Sequence, residues 1–224
     1  LHPTEIQLGF LKLLKGTGLR KYAHKYGIVY RTRPPYEILY NNDISYQELC
    51  ILKGIAHLVD KYYNTGRFRY SMTYLNTKFE RPFALFMSLY NYCKERNLFR
   101  TRHSLKSQYD ILYSFAENIG IDTDVFKDII KFDFMLTSGK AALPECIEPI
   151  ETREFLKKAK EYAYNKKWLE TNLFQAMGLS NHKLSQQLSY GLFRHDVPNS
   201  TNKKTKGIVF LQKDGENYYA EFDI

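Results

Sequence analysis

Few residues in this sequence have the types and spacing that chemistry requires. Cys146 stands between Glu145 and Glu148, which could pair a thiol with a carboxylate base. Pro144 and Pro149 bound the segment, so it reads as an ordinary loop with three polar groups. Cys50 and His57 are seven residues apart and would share one face of a helix, where a neighbouring helix or solvent is the expected surrounding. The CxxC, HxH and HExxH spacings of zinc sites do not occur, nor do the GxSxG elbow or a glycine-rich phosphate loop. Histidines 24, 57, 103, 182 and 195 are scattered singly and are expected at the surface or at helix caps. The chain by itself therefore offers no catalytic, cofactor-binding or metal-ligating residue, and it is expected to be catalytically silent.

Three segments are richer in cations and aromatic rings. Asn64-Thr65-Gly66-Arg67-Phe68-Arg69-Tyr70 could clamp a phosphate or stack on a base. The expected use is structural: Gly66 turns the chain, Phe68 plugs the core and Arg67 meets a helix C-terminus. Pro34-Pro35-Tyr36-Glu37 reads as a rigid extended joint with Tyr36 as its anchor. Between Lys12 and Tyr36 lie Lys12, Lys15, Arg20, Lys21, Lys25, Arg31 and Arg33 without one Asp or Glu, which is seven of the net +9. Such a window attracts phosphate or nucleic acid, but a solvated face or a surface meeting an acidic partner is the expected reading.

The elements that must position these residues are mostly helices. Ser45-Tyr46-Gln47-Glu48 is a capping box, and Leu49, Leu52, Ala56, Val59 and Tyr63 follow as one apolar stripe up to Gly66. A second helix starts at Pro82 and carries Phe83, Phe86, Tyr90 and Cys93. A third aligns Leu105, Tyr109, Leu112, Ala116 and Ile119 and stops at Gly120. A fourth, capped by Asp122 or Thr123 and ended by Gly139, aligns Val125, Ile129, Phe132 and Leu136, with further apolar residues on its other faces. It is expected to be central. After the Pro-bounded loop a fifth helix turns Phe155, Ala159 and Tyr162 inward. The periodicity changes near Leu188. Ile208–Leu211 and Tyr218–Phe222 flank Asp214-Gly215, a type I′ hairpin signal, and Ser189–His195 is placed to pair as a third strand. Asn199–Lys204 is expected to be a polar, basic, mobile loop. The fold class is thus mainly α, a helical domain with a small C-terminal antiparallel hairpin or three-stranded sheet.

Composition agrees with a globular chain. The 224 residues are 44% hydrophobic, 16% aromatic and 25% charged, enough for one large domain or a domain with appendages. No run approaches the roughly 20 apolar residues of a membrane-spanning helix, and no secretory signal opens the sequence. Three widely spaced cysteines argue against a disulfide framework and for a reducing, cytoplasmic compartment. The absence of an initiator Met suggests a piece of a longer protein.

Several of these segments carry a resemblance. Ile6 to Leu19, with Gly16, Thr17 and Leu19 in a Gly-Thr-x-Leu turn and Tyr26-Gly27 beyond, is similar to the last barrel strand and following helix of radical SAM enzymes. Pro34, Pro35, Tyr36 and Glu37, together with Asn64, Gly66, Arg67 and Phe68, resemble the uncharacterised C-terminal domain of radical SAM proteins that carry an N-terminal cobalamin-binding domain. These are grouped loosely with anaerobic magnesium-protoporphyrin ester cyclases. The resemblance is densest from Ile6 to Phe68. It implies a parent enzyme with a 4Fe-4S cluster, S-adenosylmethionine and cobalamin. The family's CxxxCxxC motif is missing here, and Cys50, Cys93 and Cys146 do not map onto it. Residues 1–33 would be the end of the barrel, 34–180 a helical accessory domain and 181–224 a small β element packed on it. The partner would be the barrel of the same chain. The segment Ile6–Leu14 fits a helical stripe and is expected to be helical when its barrel neighbours are absent, with its exposed apolar side chains offering a homodimer contact. A stand-alone nucleic-acid-binding helical module is the alternative, motivated by the basic window.

Overall fold

The computed structural model describes residues 3–224. The chain is mainly α-helical with a three-stranded antiparallel sheet at its C-terminal end, and a second, two-stranded sheet lies near its start. It divides into two compact units, one formed by residues up to Gly66 together with Phe79–Leu98, the other by Arg67–Lys78 together with Phe99–Ile224.

The first unit opens on an irregular segment with one β-bridge, and here the expected helix over Ile6–Leu14 is corrected. Leu13 donates its N–H to the Tyr36 carbonyl at 2.8 Å, and Ile38 donates to the Leu11 carbonyl at 2.9 Å. Lys12 thereby bridges Glu37 in antiparallel fashion, and Leu13 is completely buried. The periodicity fitted either state, and tertiary pairing along the Tyr36–Ile38 backbone supplies the hydrogen bonds that a helix would otherwise make internally. After a turn come α1 (Gly18–Lys21) and a 3₁₀ turn over Ala23–Tyr26. β1 (Val29–Tyr30) then pairs antiparallel with β2 (Ile38–Tyr40).

α2 (Tyr46–Val59) begins at the expected capping box: Ser45 Oγ accepts from the Glu48 amide, and the Glu48 carboxylate accepts from the Ser45 amide at 2.8 Å. It continues as a π-helical turn, Asp60–Asn64, and Gly66 at φ +67° takes the left-handed conformation that turns the chain. α3 (Arg69–Asn76) belongs to the second unit, and the chain returns to the first as α4 (Pro82–Glu95). The buried face of α2 is Leu49, Ile55, Leu58 and Val59, continued by Tyr62 on the π-helical turn; Leu49 and Val59 belong to the expected stripe, whereas Leu52, Ala56 and Tyr63 are only half-buried. Apolar residues border that stripe on both sides, so periodicity leaves the choice open. The ring of Tyr90 on α4 lies where a Cβ on Gly54 would stand, 2.3 Å from Cε2, and this close approach selects the Gly54 side.

In the second unit α5 (Leu105–Asn118), capped by Ser104, leads to α6 (Thr123–Ser138), capped by Asp122. α7 (Arg153–Tyr164), α8 (Lys166–Asn172) and α9 (Asn181–Gln187) follow. β3 (Leu188–His195), β4 (Lys203–Lys213) and β5 (Glu216–Asp223) form the sheet in the order β3-β4-β5. The expected hairpin is present: Lys213 pairs with Glu216 across Asp214 and Gly215, both at positive φ. The loop expected over 199–204 is shorter, because β4 begins at Lys203.

α6 is the central helix of this unit, touching α3, α5 and all three strands. Its Phe132 ring lies 5.0–6.2 Å from those of Phe193, Phe210 and Tyr219. On the opposite face of the sheet, Val209, Leu211, Ala220 and Phe222 pack with Phe155, Ala159 and Leu184 of α7 and α9. Covered on both faces, β4 is buried without interruption from Lys206 to Leu211. No helix among the described residues is long and apolar enough to cross a membrane.

Candidate functional site

A largely buried helix must neutralise the charges it carries inside, because an unpaired ion in the interior costs several kcal/mol. α6 carries three such residues, Asp128, Lys131 and Asp133, each no more than 6% exposed. Asp133 turns to α3, where its carboxylate accepts from the Tyr70 amide (3.1 Å), the Ser71 amide (2.7 Å) and the Ser71 hydroxyl (2.7 Å). Burial outweighs these donors and pushes its carboxyl up to about 7.

Asp128 and Lys131, three residues apart, share the face toward β3. β3 is an edge strand, and its outward backbone groups need partners that no fourth strand supplies. Charged side chains provide them. Asp128 Oδ2 accepts from the amides of Arg194 (2.8 Å) and His195 (2.9 Å). Glu151 accepts from the Leu192 amide at 3.1 Å, while Lys131 Nζ donates to the Leu192 carbonyl at 2.9 Å and to Glu151. Burial would raise the Glu151 carboxyl, but the charge and hydrogen bond of Lys131 prevail and hold it below its ordinary value. The Lys131 ammonium also lies 5.2 Å from the centre of the Phe193 ring. A second buried lysine, Lys206 on β4, is paired with Asp196 (2.6 Å) and Glu221 (2.9 Å).

His195 is 4% exposed, and its Nδ1 lies 2.8 Å from Asp128 Oδ2. This corrects the expectation that every histidine sits at the surface or at a cap: His195 closes β3 at a register shift and lies beside α6. Asp128 and His195 form part of the wall of a cleft of about 560 Å³, framed by the first half of α6, the loop through Ile147, Glu148 and Ile150, the end of β3 and the start of β4. Lys127, Arg194, Lys203 and Lys204 also line it, and Asp124 and Glu148 are its other carboxylates.

The residues singled out for their resemblance lie elsewhere. Gly16 and Thr17 make the turn into α1, with Thr17 Oγ1 donating to the Leu14 carbonyl at 2.9 Å, and Leu19 is 38% exposed. Pro34 and Pro35 are exposed. Tyr36 is half-buried at φ +58°, with the Arg20 guanidinium 5.4 Å and the Lys15 ammonium 6.0 Å from its ring centre. Arg20 also donates to the Tyr30 hydroxyl at 3.0 Å, so part of the basic window is spent on aromatic rings within the unit. The Glu37 carboxylate meets Lys53 at 2.6 Å. Asn64 grips the backbone of Ile6: its Oδ1 accepts from the Ile6 amide and its Nδ2 donates to the Ile6 carbonyl, both at 2.9 Å. Beyond Gly66 the chain passes into the second unit, where the Arg67 carbonyl accepts from the Tyr109 hydroxyl (2.7 Å). The fully buried Phe68 ring lies 4.3 Å from that of Tyr109. The structure thus gathers Glu37, Tyr36 and Asn64 along the Ile6–Leu13 segment and places Arg67 and Phe68 in the other unit.

Cys50 is exposed on α2, Cys93 buried on α4 and Cys146 half-buried in its loop, where its amide donates to Asp110. Among the described residues no three His, Cys, Asp or Glu side chains are grouped to hold a metal ion. The cleft is what sequence reasoning missed. Its signal was Asp128, Lys131 and Asp133 inside the one helix expected to be apolar on all faces, which forces partners from elsewhere in the chain.

No curated protein and no solved structure matches this chain. A family model described as "Protein of unknown function (DUF4080)" matches residues 24–210, and the chain belongs to that family.

Proposed function

We propose that the chain is a non-catalytic C-terminal accessory domain of a cobalamin-binding radical SAM enzyme, bracing the end of the barrel and facing its substrate. One observation carries this reading. The segment similar to the last barrel strand is not helical and is fastened by residues of the two segments similar to the accessory domain, Asn64 on Ile6 and the Tyr36–Ile38 backbone on Leu11 and Leu13. A barrel strand handed to its accessory domain would need such a clamp. Leu11 and Leu14, 43% and 52% exposed, keep apolar surface on that strand for the barrel of the same protein to cover. The cluster, S-adenosylmethionine and cobalamin would be held outside these residues, in the cytoplasm, and no step of the chemistry is assigned to this chain.

The test begins with the reading frame upstream of the Leu1 codon. A CxxxCxxC motif a barrel's length upstream, behind a cobalamin-type domain, is the expected result. The purified full-length protein should then show a 4Fe-4S absorption band and reductive cleavage of S-adenosylmethionine under anaerobic conditions. A start codon close to Leu1 with no cysteine motif overturns the proposal.

A further inference from the structure

We propose that the cleft between α6 and the β3–β4 end of the sheet binds a small phosphorylated molecule. The site lies wholly within the second unit and does not depend on the accessory-domain reading.

Charge is the first argument. Lys127, Lys131, Arg194, Lys203 and Lys204 line the cleft against Asp124, Asp128 and Glu148, five cations to three carboxylates. Two of these eight are committed: Lys131 to Glu151 and the Leu192 carbonyl, Asp128 to His195 and two amides. Four cations are therefore left for a ligand, and with Asp128 still counted as charged they outnumber the three carboxylates of the lining, an excess that suits an anion better than a neutral guest.

The second argument is that the wall is built rather than merely charged. His195 is held by a carboxylate that is itself fixed by two backbone amides, so its imidazole is oriented before any ligand arrives. With Nδ1 engaged by Asp128, Nε2 is the ring nitrogen left for a ligand. Lys203 stands opposite His195 in the β3–β4 register, which puts both side chains on one face of the sheet. A phosphoryl group, with several acceptor oxygens spread over a tetrahedron, can take donors from lysines and an arginine together, whereas a single carboxylate would leave some of them unused.

Size is the third. A volume of about 560 Å³ falls within the range of small-molecule pockets, so the fit is to a metabolite bearing one or two phosphates.

The experiment is a calorimetric titration of the 224-residue chain with pyrophosphate at low and at physiological salt, beside a short single-stranded oligonucleotide. Two double variants accompany it: Lys203→Glu with Lys204→Glu, both exposed at the cleft, and Lys157→Glu with Lys160→Glu, both exposed on α7 and outside the cleft lining, which change net charge equally. Expected are saturable one-to-one binding of pyrophosphate, at least a tenfold loss in the cleft variant and less than a twofold change in the α7 variant, with both melting like the parent. His195→Gln, if it melts like the parent, should lose at least threefold. No pyrophosphate binding, equal loss in both double variants, or binding of the oligonucleotide alone overturns the proposal.

Discussion

Lys131 and Glu151 do the work of a missing strand, together satisfying both backbone groups of Leu192 on the sheet edge. Removing one partner leaves an uncompensated charge and an orphaned backbone group, which is costlier than the pair is valuable. Lys131→Met should therefore lower stability by about 3 kcal/mol in urea unfolding, and a second change, Glu151→Leu, should recover part of that loss. A loss below about 1 kcal/mol would show that the edge does not need the pair. Asp133 makes a pH-dependent contribution of the opposite kind. Its folded carboxyl, pushed up to about 7, keeps a proton that the unfolded chain releases near pH 4, so stability falls as pH rises through that window and levels above it. Glu48, Glu151 and Asp196, all held below their ordinary values, add an opposite slope confined to the acid range, which the variant shares with the parent. His57, lowered by burial and by Lys61, adds an opposite slope, so the comparison with a variant isolates Asp133. Between pH 5 and pH 8 the parent should lose more stability than Asp133→Asn does, and parallel curves would contradict the assignment.

At the scale of elements, the first segment depends on a side chain far along the sequence. Asn64 imitates a strand neighbour by offering one acceptor and one donor to Ile6, at the end of the π-helical turn that follows α2. Asn64→Ala should release that grip at about 1 kcal/mol for each of the two hydrogen bonds to Ile6. In hydrogen exchange the Ile6 amide should then exchange at least tenfold faster while the amides of α6 keep their protection. Unchanged exchange at Ile6 would mean that the Leu11–Leu13 pairing alone holds the segment. The capping box, Pro82, the Asp122 cap and the Asp214-Gly215 turn were legible in the sequence because each acts within a few residues of itself. Ile6–Leu14 was not legible as a bridged segment, since its partners lie more than twenty residues away.

Across the whole molecule the cysteines report on burial. Cys50 is exposed, while burial pushes the Cys93 thiol up to about 11 and, with Asp110 beside it, raises that of Cys146 as well. A thiolate-directed reagent at neutral pH should label Cys50 quickly, leave Cys93 and Cys146 at least a hundredfold slower, and label all three in denaturant. Rapid labelling of Cys93 in the folded protein would contradict its burial on α4.

By itself the sequence determined the helical fold class, the C-terminal sheet and its hairpin, and the centrality of the Thr123–Ser138 helix, because helix caps, turn residues and apolar periodicity are local properties. Tertiary structure decided which face of α2 is buried, that Ile6–Leu13 is pinned to distant residues instead of forming a helix, and that Asp128, Lys131 and His195 meet at one cleft. Those outcomes depend on groups such as Tyr90, Asn64 and Glu151, which lie distant along the chain. No window of residues contains both members of those pairs, and only the folded chain brings a buried charge to its partner.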